Sequence, residues 1–163
     1  IEIGLVAFFL VHSVSGISVW LGKIRARPDN YKKTGSAGDP SRKNFASISM
    51  IYTGVILFVF IAMHVAQFKY GPYYTTTLDG ETVRDLHRLV IETFTDTGWM
   101  IWYVAATSLI GFHLWHGFWS AFQSIGIYPQ RGSVLINAVG YILALFLAIG
   151  YIAIPVWIYF TRG

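Results

Sequence analysis

The sequence predicts an all-α integral membrane helix bundle forming a single domain, and three observations carry that expectation. Of 163 residues, 55% are hydrophobic and only 12% charged, and the mean hydropathy is +0.53; water-soluble domains carry about twice that charge. The charges are also confined, because the stretches 3–22, 44–68, 97–130 and 132–161 contain no Asp, Glu, Lys or Arg. Each can cross a bilayer, since about 20 apolar residues rising ~1.5 Å apiece span the ~30 Å hydrocarbon layer. Finally, the basic residues gather in one segment between two apolar runs, the pattern of a topology signal.

The first span covers about residues 2–22 and ends at Lys23. Residues 23–43 follow as a loop rich in Gly, Pro and Ser, with Lys23, Arg25, Arg27, Lys32, Lys33, Arg42 and Lys43 against Asp29 and Asp39. By the positive-inside rule this loop is cytoplasmic, so the first span runs inward. The second span, about 45–68, returns to the outer side, where residues 69–97 are expected. There GPYYTTTLDGE reads as turns at Gly71-Pro72 and Asp79-Gly80, and Val83, Leu86, Leu89, Val90 and Phe94 recur at helical spacing. That spacing predicts a short amphipathic helix on the bilayer surface. The third span, about 98–124, comes back in and stops near Gly126 and Pro129, with Arg131 marking the inner side. The fourth, about 133–160, goes out and contains Pro155, expected to kink it. Trp99, Trp102, Tyr103, Tyr128, Trp157 and Tyr159 fall near the expected interfaces, as amphipathic rings do. The chain opens at Ile1, inside an apolar run with no charged leader, so an upstream segment is expected and four spans is a minimum.

Composition removes several functional classes. With no cysteine there is no disulfide framework, thiolate zinc site, Cys-ligated iron–sulfur cluster or thioether-attached haem on this chain. A net charge of +4 does not point to nucleic acid, because the basic residues sit in the topology-setting loop.

Three of the five histidines, His12, His64 and His113, fall deep within different spans, where an ionisable side chain is costly unless paired or liganded. His12 lies eleven residues before Lys23 and His113 eleven before Ser124, so two helices running the same way carry imidazoles at one level, ~16 Å from the inner edge. Each is followed four residues later by glycine, Gly16 and Gly117, which leaves a bare patch on the same helix face. A flat macrocycle needs such a gap, and two neutral imidazoles are suitable axial ligands for haem iron. A lone metal ion also fits two histidines, but carboxylate or further His is then usual at that level. His64 lies twenty-one residues from Lys43, ~31 Å from the inner edge, and cannot share that iron. Met100 stands at its depth, although packing is the commoner role there. His116 is read as a hydrogen-bond donor to a propionate or quinone, or else as a packing residue, and His87 as a solvated surface group. Glu2, at the outer end of the first span, is either a proton-transfer group for a quinone or an interfacial helix-end residue.

The stretches FLVHSVSGISVW from Phe9, SMIYTGVILFVFIAMHVAQF from Ser49 and FHLWHGFWSAFQSIGIY from Phe112 resemble the cytochrome b membrane subunit of bacterial succinate dehydrogenases and fumarate reductases, in its single-subunit dihaem type. The resemblance covers nearly the whole chain and implies five transmembrane helices, of which these are the last four. It implies that His12 and His113 ligate a proximal haem b, and that His64 ligates a distal haem b whose second histidine lies on the first helix. Two positions depart from the pattern. Ile48 stands where many relatives carry an Arg expected to pair with a propionate, leaving Arg42, Lys43 or the serines as substitutes, and Gly111 stands where some members place an acid.

The resemblance further implies an electron-transfer subunit of complex II in the bacterial cytoplasmic membrane, with no catalytic residue for substrate chemistry on this chain. Electrons would pass between menaquinone or another quinone and an iron–sulfur subunit, with succinate chemistry on an FAD-containing flavoprotein subunit. Loops 23–43 and 125–132 are the expected docking surface. A quinol:fumarate reductase anchor, with inward electron flow, is the alternative of the same class. A non-redox scaffold or transporter bundle, with packing or proton-relay histidines, is the alternative of a different class.

Overall fold

A computed structural model describes residues 1–26, 45–127 and 133–163. The chain forms α1 (Glu2–Ala26), α2 (Phe45–Phe68), β1 (Thr75–Leu78), β2 (Glu81–Arg84), α3 (Leu86–Thr95), α4 (Thr97–Ser124) and α5 (Ser133–Arg162). The four long helices match the four apolar stretches. Three of them are long and apolar enough to cross a membrane, over Glu2–Ala26, Ser49–Phe68 and Val134–Arg162. The fourth, α4, is 28 residues long and carries no Asp, Glu, Lys or Arg. Most of the inner loop, including Arg27, Lys32, Lys33, Arg42 and Lys43, lies outside the described residues, as do Tyr128, Pro129 and Arg131.

Local chemistry sets the helix ends. Asp85 accepts a hydrogen bond from the Arg88 amide at 2.9 Å and starts α3, and Asp96 does the same from the Trp99 amide at 2.9 Å and starts α4. Their carboxylates meet the positive ends of the two helix dipoles. At its other end α4 closes with the Gly126 amide on the Gln123 carbonyl and the Ile127 amide on the Phe122 carbonyl, at 3.1 and 3.0 Å. Gly126 has φ +76° there, the left-handed conformation this cap requires.

Two expectations about residues 69–97 need correction. The fold is not wholly α: Thr75–Leu78 pairs antiparallel with Glu81–Arg84 across Asp79-Gly80. Both turn residues have positive φ, 50° and 84°, as the two-residue hairpin turn that matches strand twist demands. The Asp-Gly turn was legible, but three consecutive threonines carry no hydrophobic alternation to announce a strand. Val83 belongs to β2 rather than to the helix. The amphipathic helix, α3, turns much of its apolar face into the bundle, while Leu86 stays exposed. Leu89 and Phe94 are buried, and the helix packs against α4 and α5.

The described core lies at this hairpin end of the bundle, where Phe60, Phe94, Tyr103, Ala106 and Ile158 meet. Tyr103 is its hub, with ring centres 5.0 Å from Phe94, 5.1 Å from Phe60 and 6.0 Å from Phe68. It is therefore a core residue and not part of an interfacial belt. Pro155 lies within α5, its ring fully buried, and the helix continues to Arg162. α1 is held differently. It has no buried residue, leans chiefly on α2 through the stacked Phe9–Phe58 pair at 5.2 Å, and exposes Ile3, Phe8 and Val19. Glu2 pairs with Lys69, tying the start of α1 to the end of α2.

At the α4–α5 contact, a Cβ added to Gly111 would lie 3.0 Å from the Ala148 Cβ and 3.8 Å from the Ala144 carbonyl oxygen. Small residues let membrane helices approach where apolar burial alone gives no drive. Gly111→Val should thus lower stability in detergent by about 1–3 kcal/mol. Gly150→Ala, where an added Cβ meets nothing within 4 Å, should be neutral; equal thermal midpoints for the two variants would contradict this packing.

The hairpin is tied to α3 by Tyr74, Arg88 and Glu92. The Arg88 guanidinium donates to the Glu92 carboxylate at 2.7 Å and lies over the Tyr74 ring at 4.1 Å. Tyr74 first, then Arg88, holds the Glu92 carboxyl below its ordinary range. A depressed carboxylate stabilises the fold at neutral pH and loses that contribution as pH falls through its folded value. The protection factors of the β1 and β2 amides should therefore fall as Glu92 is protonated in acid. Glu92→Gln should remove that acid-dependent step, and a hairpin equally protected at pH 3 and pH 7 would contradict the tie.

Candidate functional site

α1 and α4 carry His12 and His113 to within 6.0 Å of each other, measured between ring centres, with the planes at 77°. No packing comparable to the α1–α2 contact joins α1 to α4 among the described residues, so the imidazoles face each other across a gap between helices. Nitrogen–metal bonds of ~2 Å on either side of one ion put two imidazole centres roughly 6 Å apart, so the separation fits a shared metal. The surroundings fit a flat group as well. Added Cβ atoms at Gly16 and at Gly117 would each meet nothing within 4 Å.

α2 supports His113 from behind. Thr53, buried in that helix, places Oγ1 3.0 Å from His113 Nδ1. The same oxygen lies 3.1 Å from the carbonyl oxygens of Ser49 and of Met50. The neighbouring Gly54 brings bare backbone to the ring, since a Cβ there would sit 3.5 Å from His113 Cε1. With Nδ1 engaged, Nε2 is the nitrogen left for a metal.

His64 occupies a second level. Its Nδ1 lies 3.3 Å from the Tyr103 hydroxyl, which donates to Gln67 Oε1 at 2.9 Å; Gln67 Nε2 in turn donates to Thr93 Oγ1 at 3.4 Å. The His64 ring is flanked by Phe60 and Phe68, at 5.9 and 5.2 Å. The two levels are eleven residues apart on α2 and ten on α4, hence ~15–16 Å along the bundle. Met100 does not face His64 in any recorded contact; Tyr103, three residues on, does.

The remaining candidates separate clearly. His116 sits edge-on to Trp119 at 4.9 Å, and its Nδ1 is buried with no hydrogen-bond partner, as is Nε1 of Trp102. His87 is exposed beside Trp157 and Arg162, in a shallow groove of about 400 Å³. Glu2 is taken by Lys69. Gly111 is a helix-packing contact. Among the described residues no group of three or more His, Cys, Asp or Glu comes together.

Sequence reasoning missed Thr53, Tyr103 and Gln67. A depth signal was present for the first two. Thr53 is ten residues from Lys43 and His113 eleven from Ser124, whereas His64 and Tyr103 are each twenty-one residues from those same edges. Applied to hydroxyls as well as imidazoles, the depth argument pairs them.

No protein family, curated protein or solved structure was found to match the chain.

Proposed function

We propose that this chain is a haem-binding membrane anchor, the cytochrome b subunit of a succinate:quinone oxidoreductase, with α4 as a fourth transmembrane span beside α1, α2 and α5. The observation that carries the reading is the His12–His113 pair, two imidazoles 6.0 Å apart across an interhelical gap, with the His113 Nδ1 already occupied by Thr53. Haem, when bound, supplies one-electron transfer and an iron whose potential responds to its ligands and their surroundings.

The residues divide the work. His12 and His113 hold the proximal group, and Gly16 and Gly117 leave the helix faces open beside it. The unpaired Nδ1 of His116 is the polar atom available to a propionate or to the carbonyl of a quinone. His64 would hold the distal group together with the histidine that the family resemblance places on the family's first helix. The apolar helices exclude water from both levels, and the ~15 Å between the levels suits two stepping stones across a membrane. The basic inner loop and the turn after α4 form the docking surface for an iron–sulfur subunit and its FAD-containing partner. Orientation follows the positive-inside rule, which places Lys23 and Arg25, in the last turn of α1, in the cytoplasm.

Reduced-minus-oxidised spectra of membranes carrying the chain should show a b-type α band. His12→Ala and His113→Ala should each remove the same haem, and His116→Ala should leave the haem content unchanged. A wild-type spectrum without a b-type band overturns the reading, and haem lost from His116→Ala moves the ligand to that residue.

A further inference from the structure

Each intramembrane histidine that faces a hydroxyl does so through Nδ1, and both hydroxyls have their own proton committed elsewhere. Thr53 Oγ1 has the Ser49 and Met50 carbonyl oxygens at 3.1 Å and His113 Nδ1 at 3.0 Å. A hydroxyl has one proton and a carbonyl can only accept. Turning the Thr53 proton toward His113 would leave oxygen lone pairs facing each other inside an apolar helix, whereas bonding back to the preceding turn is the usual habit of a helical threonine. The proton therefore goes to the carbonyls, and Oγ1 accepts from His113 Nδ1–H. The second level repeats the arrangement through a different side chain. The Tyr103 proton is given to Gln67 Oε1 at 2.9 Å, so the 3.3 Å contact with His64 Nδ1 is a bond that the imidazole donates. Gln67 is oriented by its own amide, which donates to Thr93.

We infer that Thr53 and Tyr103 are positioning residues that fix His113 and His64 in the Nδ1–H tautomer, leaving the Nε2 lone pair of each as the metal-facing donor. The inference rests on the haem reading for its consequence but not for its geometry. A proton shared from Nδ1 to an oxygen makes the far nitrogen a stronger donor, and a stronger donor stabilises ferric over ferrous iron. Thr53 thus sets the potential of the haem on His113, and Tyr103 with Gln67 that of the haem on His64, each independently because the levels are ~15 Å apart.

The test is redox titration of wild-type, Thr53→Val, Thr53→Ser and Tyr103→Phe chains in their membranes. Thr53→Val, equal in size but without the acceptor, should shift the midpoint potential of the His113 haem upward. Thr53→Ser should restore it, and the other haem should not move. Tyr103→Phe should give the mirror result. Unmoved potentials, or a Thr53→Ser shift as large as that of Thr53→Val, overturn the inference. If wild-type membranes hold no b haem, the proposed function fails while the inference is still decided by ¹⁵N spectra of histidine-labelled chain in bilayers. A protonated Nδ1 on His113 that is released in Thr53→Val supports it, and an Nε2-protonated His113 in the wild type overturns it.

Discussion

The constraint that organises this bundle is the cost of a polar side chain where no water can satisfy it. Inside an apolar helix an unpaired imidazole or hydroxyl loses its hydrogen bonds outright, and each loss costs on the order of 1–3 kcal/mol. Two such pairs join α2 to α4, Thr53 with His113 at one level and His64 with Tyr103 at the other. Because the helices are antiparallel, those pairs also lock their register. A slide of α4 against α2 by one turn would separate both pairs at once.

The rest of the architecture serves that register. Small residues bring α4 and α5 together, with Gly111 against Ala148 and Gly140 beneath the Phe118 ring. At the hairpin end, Phe60, Phe68 and Phe94 enclose the Tyr103 ring, and the buried face of α3 closes over them. Tyr103 consequently has two roles. Its ring fills the core, and its hydroxyl joins His64 to Gln67. At the opposite level His12 on α1 faces His113 on α4 at 6.0 Å between ring centres, and among the described residues these two helices share no packing comparable to that of α1 with α2.

Much of this was legible in the sequence, for a physical reason. Charge exclusion marks helices in an apolar solvent, so all four long helices are found within a few residues of their observed ends, and Asp85 and Asp96 stand just ahead of α3 and α4 as capping residues do. Depth counting works because the helical rise is constant, which is how His12 and His113 come out level. Three features stayed hidden. The Thr75–Leu78 strand has no apolar alternation; its Asp-Gly turn and the Asp85 amide on the Tyr74 carbonyl, at 2.8 Å, hold it. Tyr103 resembles an interfacial aromatic in composition alone, and only the fold of α3 over the bundle end makes it a core residue. Thr53 was hidden in a different way. Its depth matches that of His113, but a threonine in an apolar run is so common that depth singles it out only when hydroxyls are counted together with imidazoles.

Near-infrared magnetic circular dichroism of the oxidised chain in detergent reports the axial ligands of low-spin haem iron, and it tests most directly the proposed sharing of one metal by His12 and His113. The expected result is a bis-imidazole charge-transfer band that disappears selectively when His12 is replaced by alanine. A histidine–methionine band, or a bis-imidazole band that survives intact without His12, would contradict it.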